Sequence, residues 1–290
     1  MIGNILINSL ISGGIFAVLA LGFSLVFGVA KILNMAHTAF YMVTAYFILT
    51  LNVLLGVPLL LSAVLAILVT SFLGMISYKF LLDRVKKHET AVLIISLSLG
   101  ILFQEILLIM FTGDFRRFPP FVPGYVELID VRVSYQHIFA IFVSGIILLC
   151  IWILLTKTRL GKAVRAVAQD IEIANIMGIN VSRICMITMG ISAGLAGVAG
   201  AIVGPIFTVQ PYMWMHPLIM VLAAVVLGGL GSAKGSVIAA FILGFAETMT
   251  TFLIPGGSFL RGTISLGVMV IVLMLRPEGL FGVVFEEERL

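Results

Sequence analysis

Charge is what this sequence has least of: only 10% of its 290 residues are Asp, Glu, Lys or Arg, against 61% hydrophobic. That balance excludes a water-soluble globule. Cysteine is scarce too. Cys150 and Cys185 stand far apart, so neither a disulfide framework nor a metal-ligand spacing is suggested, and packing is the reading for both. A phosphate-binding loop, G-x-x-x-x-G-K-[S/T], is matched neither by Gly161-Lys162-Ala163 nor by Gly231-Ser232-Ala233-Lys234-Gly235. The basic residues are divided among short loops without interleaved aromatics, which argues against nucleic acid as a partner. Stretches 59–76 and 138–155 lack the period-two alternation of membrane-barrel strands. No cofactor and no metal site are expected.

What is present is apolar sequence of membrane-spanning length. A bilayer core about 30 Å thick needs about 20 apolar residues per helix. Nine stretches qualify as candidates: 2–29, 35–55, 58–78, 91–111, 138–155, 184–207, 218–227, 237–253 and 263–275. The fold class expected is an all-α polytopic bundle of about eight to ten spans, forming a single membrane domain over residues 1–290. The seventh stretch is too short to span alone and reads as half of a broken or re-entrant segment. The amino terminus lacks a basic region before its apolar run, so it reads as an uncleaved first span rather than a signal peptide.

Basic residues set the expected orientation. Loop 79–89 holds Lys79, Arg84, Lys86 and Lys87, and loop 157–183 holds Lys157, Arg159, Lys162, Arg165 and Arg183. In loop 112–136, Arg116, Arg117 and Arg132 are offset by Asp114, Glu127 and Asp130. The positive-inside rule places the first two loops in the cytoplasm. Nine spans then put the amino terminus outside and the carboxyl tail inside.

Within loop 157–183, residues 160–178 carry helical periodicity. Val164, Val167, Ala168, Ile171 and Ala174 share one face, Arg165, Gln169 and Glu172 another, and Gly178 is a natural stop. Two roles fit such a helix: lying flat on lipid headgroups, or docking a cytoplasmic partner.

Intramembrane polar residues are costly and therefore informative. Glu247 lies deep in the eighth span, on a small and polar stripe with Ser236, Ala240, Gly244 and Thr251. A transport pathway or gate and a bonded structural carboxylate both fit it. Glu105 shares a stripe with Ser98 and Thr112, beside Gln104, and reads as structural, snorkelling or lining a vestibule. Asn34 and His37 fall between the first two spans near Lys31, where they are expected to lie by the cytoplasmic face, either capping the second helix or contributing to a transport pathway or gate. Gly190, Gly194, Gly197, Gly200 and Gly204 repeat at the spacing of close helix packing. Gly228, Gly229 and Gly231 interrupt apolar sequence, either as an unwound binding segment or as a tight turn.

Several of these stretches together resemble the branched-chain amino acid permeases of ABC importers. The segment Arg165-Ala166-x-Ala168-x-Asp170-x-x-x-Ala174-x-x-x-Gly178-Ile179-Asn180 is similar to that family's cytoplasmic loop. So are Ala17-x-Leu19-Ala20-Leu21-Gly22 with Ile32-Leu33-Asn34-Met35-Ala36-His37, and Ala193-Gly194-Leu195-Ala196-Gly197-Val198-Ala199-Gly200. Further matches are Val226-Leu227-Gly228-Gly229-Leu230-Gly231-Ser232 with Gly235, then Gly244-x-x-Glu247, and the ending Arg276-Pro277-Glu278-Gly279-Leu280-Phe281-Gly282. Thr38 and Ala39 depart from the family, whose members often carry a small residue and an acid after the histidine. The length is closer to the shorter permease of the usual pair.

The resemblance implies a fold like the type II importer permeases and a prokaryotic plasma (inner) membrane location. It implies a second, paralogous permease chain, two ATP-binding subunits and an extracytoplasmic substrate-binding protein. In this reading Arg165, Asp170, Glu172, Ala174 and Gly178 belong to the helix that couples to the ATPase, and this subunit has no catalytic residue of its own. Related permeases for urea, short amides or another small solute share these motifs. An ion-coupled secondary transporter using Glu247 or Glu105 is the alternative from another class.

Overall fold

The computed structural model describes residues 2–128, 131–260 and 262–281. Seven of its helices are long and apolar enough to cross a membrane, and two shorter ones accompany them. The chain order is α1 (Ile2–Ala30), α2 (His37–Leu49), α3 (Leu59–Ser77), α4 (Asp83–Val85), α5 (Glu89–Phe111) and α6 (Tyr135–Lys157). It continues with α7 (Arg159–Gln169), α8 (Ile171–Ile176), α9 (Val181–Val203), α10 (Met215–Gly228), α11 (Ala233–Leu253) and α12 (Thr263–Leu275). π-Helical turns extend α2 over Thr50–Leu54 and α3 over Tyr78–Leu82, which apolar periodicity does not reveal. The protein is thus a multi-pass membrane protein, as its composition implies.

The burial pattern separates core from rim. Buried residues make up 83% of the α1 window but 17% of the α6 window. Helix α1 packs along α11 and α9, while α2 and α3 cover the other side of α9. The glycine repeat of α9 does what its spacing predicts. Gly190 meets Met75, Gly194 meets Ser71, Gly197 meets Thr44 and Ile67, and Gly204 meets Phe118. Gly200 faces the backbone of Tyr41 itself, with no flexible side chain to give way. Gly200→Val should therefore lower stability by about 1–3 kcal/mol, the usual range for overpacking. A thermal-unfolding assay in detergent would read this as a lower midpoint, whereas Gly145→Ala, with open space around it, should not move it. An unchanged midpoint for Gly200→Val would refute the close approach.

The two basic loops meet at one end of the bundle, where the Ser182 hydroxyl donates to Asp83 Oδ2 at 3.0 Å. Lys86 and Tyr78 hold the other oxygen of Asp83, at 2.8 and 3.2 Å. At the opposite end, the excursion after α5 lies against segment 204–214, with Arg116 and Val209 exchanging both backbone bonds. That excursion also carries an antiparallel hairpin of β1 (Tyr125–Leu128) and β2 (Val131–Ser134), bridged by Arg132 and Glu127 at 2.9 Å. Asp130 lies outside the described residues. Helix α10, the doubtful seventh stretch, has 14 residues, so about 21 Å at 1.5 Å per residue. Non-helical residues 204–214 precede it. Cys185 is buried and Cys150 is exposed, so the packing reading holds for the first alone.

Candidate functional site

Three groups of candidate residues fall in three separate places. The first is the basic end. The single amphipathic helix expected over 160–178 is instead two helices, α7 and α8, broken at Asp170. The reason is local: the backbone of Asp170 is extended, and its carboxylate accepts from the N–H groups of Glu172 and Ile173 at 2.8 and 2.9 Å. Asp170 is therefore the N-cap of α8. Helix α7 buries Val164 and Val167 and leaves Arg165 exposed.

Helix α8 buries only Ala174, while Glu172 is exposed. Ile171, placed on the buried face by periodicity, is exposed because the break rotates α8 away from α7. Gly178 ends α8 with φ of +82°, and the Gly178 and Ile179 N–H groups bond back to Asn175 and Ala174. This double bond with a left-handed residue is the glycine-specific helix stop. The Asn180 side chain then caps α9 at Arg183 N–H, 3.0 Å away. The result is a capped two-helix platform carrying Ile173, Ile176 (82% exposed) and Met177 (77% exposed). A groove of about 520 Å³ beside it is bordered by Lys86, Glu172, Asn175 and Ser182.

Gly228, Gly229 and Gly231 lie near this same end, as the tight turn between α10 and α11 rather than an unwound binding segment. Gly229 and Gly231 have φ of +97° and +83°, and Gly228 lies against the backbone of Gly235. The carboxyl segment closes over the turn: Leu280 and Phe281 N–H groups donate to Leu227 and Gly228 carbonyls at 2.8 and 3.1 Å. Gly282 of the ending motif lies outside the described residues.

The second place corrects an expectation. Asn34 and His37 are not at the cytoplasmic rim but buried within the bundle, at 2% and 1% exposure. After α1 the chain turns at Lys31, φ +55°, and segment 32–36 runs back inside without helical structure before α2 starts. Bare backbone inside a membrane must be satisfied by protein. Here Ser96 Oγ accepts from Met35 N–H, and Asn34 Oδ1 accepts from Ala36 N–H, both at 3.1 Å. Asn34 thus caps its own turn rather than the first turn of α2. His37 Nε2 is 3.0 Å from the Leu19 carbonyl and Nδ1 is 3.0 Å from Ser192 Oγ. A carbonyl only accepts, so Nε2 carries the proton and Nδ1 accepts from the serine.

The third place is a cavity of about 400 Å³ towards the opposite end, lined by α1, α2, α10, α11 and segment 204–214. The stripe of α11 predicted from sequence faces α1: Ser236, Ala240, Gly244 and Glu247 are buried, and Gly244 touches the backbone of Gly13. Glu247 and Thr251 line the cavity together with Asn8 and Ser12. Glu247 is 8% exposed, and its Oε1 lies 3.3 Å from His216 Nε2. His216 sits in the first turn of α10, 42% exposed. Sequence reasoning missed His216 and Tyr41, because nothing in the hydropathy marks a cavity lined jointly by α2 and the start of α10. Trp214 anchors segment 204–214, donating from Nε1 to Gln104 Oε1 at 2.9 Å.

Glu105 joins none of the three. It is exposed on α5 among the exposed apolar side chains of Ile101, Leu102 and Ile109, accepting from Gln104 Nε2 at 3.1 Å. Among the described residues no group of three or more His, Cys, Asp or Glu is placed to hold a metal ion.

Comparison with known proteins agrees with this architecture. The chain is 29% identical to the high-affinity branched-chain amino acid transport system permease protein BraD of Pseudomonas aeruginosa, over 96% of this chain and 94% of that one. It is 26% identical to LivH of Escherichia coli K12, of the same description, over 95% and 94%. Its fold is shared, at a TM-score of 0.52 and 17% identity, with a solved chain of PsaBC from Streptococcus pneumoniae in complex with Fab, covering 94% of this chain and 92% of that chain. The family model for the permease component of branched-chain amino acid transport systems matches residues 5–275, and the chain belongs to that family.

Proposed function

We propose that this chain is the permease subunit of an ATP-driven importer of branched-chain amino acids in a prokaryotic plasma membrane, its basic end in the cytoplasm. The α7–α8 platform carries the proposal. Its caps at Thr158, Asp170, Gly178 and Asn180 fix its shape, while Ile173, Ile176 and Met177 face away from the chain's own core. Apolar side chains presented on a charged rim suit a protein groove better than water. Asp83 bonds to Ser182, so a push on the platform reaches α4 and the first turn of α9 together.

In this reading, two ATP-binding subunits hydrolyse ATP while this subunit has no catalytic residue. A paralogous second permease completes the pathway, and an extracytoplasmic binding protein delivers solute. Arg165, Asp170, Glu172, Ala174 and Gly178 form the coupling element, and Glu247 faces the route of the solute. The exposed carboxylate of Glu105 is costly against lipid, which favours the second permease as the neighbour of α5. Lipid surrounds the remaining rim. Isolation of the tagged chain from native membranes should recover an ATPase, a second permease and a binding protein together. Recovery of the chain alone, as a simple homo-oligomer, would overturn the assembly.

A further inference from the structure

Two glycine-bearing stretches, 226–235 and 276–281, pack on one another at the basic end of the bundle. The last carbonyls of a helix have no partner within it. Those of Leu227 and Gly228, at the end of α10, are taken by the Leu280 and Phe281 N–H groups at 2.8 and 3.1 Å. Gly279 lies against the backbone of Val226 and Gly229, and Gly228 against that of Gly235. Residues 229–232 form a tight turn, closed by Ser232 N–H on the Gly229 carbonyl at 2.9 Å, with left-handed Gly231 in its third position. Leu230 stands at the corner of this held backbone, 52% exposed, and Phe281, 49% exposed, ends the strap beside the turn. Exposed cations mark the elements that meet here: Lys31 after α1, Lys234 at the start of α11 and Arg276 after α12. Among the described residues none of the three is in an ion pair.

The patch is continuous with the α7–α8 platform through the end of α1. Gly28 lies against Gly231, the Val29 carbonyl is 4.0 Å from Cys185 Sγ near the start of α9, and α7 packs against α1. We propose that Leu230 and Phe281 form a second contact for the ATP-binding subunit, an apolar knob entering a pocket rimmed by acidic groups. A lipid surface accepts an apolar side chain on any loop, whereas a corner held in advance suits a shaped protein pocket, because less order is lost on binding. The inference rests on the importer reading, in which that subunit also meets Ile173, Ile176 and Met177. One contact leaves a docked subunit free to pivot, and two fix its orientation. Helix α8 buries only Ala174, while the turn is packed on α1, α10 and α11. When the ATP-binding subunits draw together, α8 is therefore the part that shifts and the turn the part that stays.

The test places the photo-crosslinker p-benzoylphenylalanine in place of Leu230, and separately of Ile176, in the complex within native membranes. Mass spectrometry of the adducts should find the ATP-binding subunit at both positions. That subunit at Ile176, with only lipid, the second permease or residues 282–290 at Leu230, would overturn the second contact and leave the importer reading. Its absence from both positions would remove the two together. Leu230→Asp should lower ATP-driven uptake about tenfold, as loss of an interface anchor does, and release the ATPase in a high-salt wash. The thermal midpoint should not move, because Leu230 lies outside the buried core, and Leu230→Met should keep both uptake and ATPase. Where the Asp variant fails to assemble, the cross-links decide alone. Undiminished uptake with the ATPase retained in Leu230→Asp would equally overturn the contact.

Discussion

Ile176→Asp combined with Met177→Asp should lower ATP-driven uptake at least 100-fold and strip the ATPase from the purified complex, while the chain stays folded and inserted. Both side chains are mostly exposed and belong to no buried cluster of the chain's own core. Removing them costs the isolated subunit little, since exposed substitutions away from special features usually fall within about 0.5 kcal/mol. The cost falls on the interface. Truncating a buried anchor typically loses about 2 kcal/mol or more of binding, and placing a charge there adds desolvation. A 100-fold loss corresponds to about 2.7 kcal/mol at 1.36 kcal/mol per decade, so two anchors suffice. Gly178→Val should act similarly by a different route, because its φ of +82° is strained for a branched side chain and the end of α8 would unwind. Co-purification and uptake check both. Normal ATPase recovery and normal uptake in the double variant would remove α8 from the coupling role.

His37→Leu should lower the thermal midpoint and uptake together. The ring joins three elements: Leu19 of α1, Ser192 of α9 and the start of α2, with Gly22 directly beneath it. Leucine would leave the buried Ser192 hydroxyl without its acceptor, a penalty of about 1–3 kcal/mol, and lose the bond to Leu19 as well. Since the two residues act as one unit, His37→Leu with Ser192→Ala should cost clearly less than the sum of the single changes. Thermal unfolding of the four proteins gives the cycle. An unchanged midpoint with abolished uptake would instead make His37 a contact of the solute.

Much of this architecture was readable from hydropathy, because lipid enforces long helices and leaves few alternatives. The α9 glycines and the α11 stripe also read correctly, since both follow helical period and small-residue packing. The failures share one cause: each concerns backbone that leaves a helix inside apolar sequence. Segment 32–36 looks like the rim of a span, yet Asn34, Ser96 and His37 satisfy its backbone deep inside the bundle. Segment 204–214 closes a cavity whose partner residue, Glu247, lies more than thirty positions later. At the α7–α8 break the signal was present, because Asp170 followed by Ile171 and Glu172 is a cap pattern. The continuous apolar periodicity hid it. Glu105 reads from the sequence as structural, snorkelling or lining a vestibule, and its exposed place on α5 depends on packing that no single span encodes.

The most direct test of the account is L-leucine uptake by proteoliposomes of the purified complex, with ATP supplied only at the face bearing loops 79–89 and 157–183. The account predicts accumulation that requires ATP on that face, stops with vanadate and ignores a protonophore. Accumulation without ATP that collapses with the protonophore and ignores vanadate would contradict it, and would turn attention to Glu247 as an ion-coupled site.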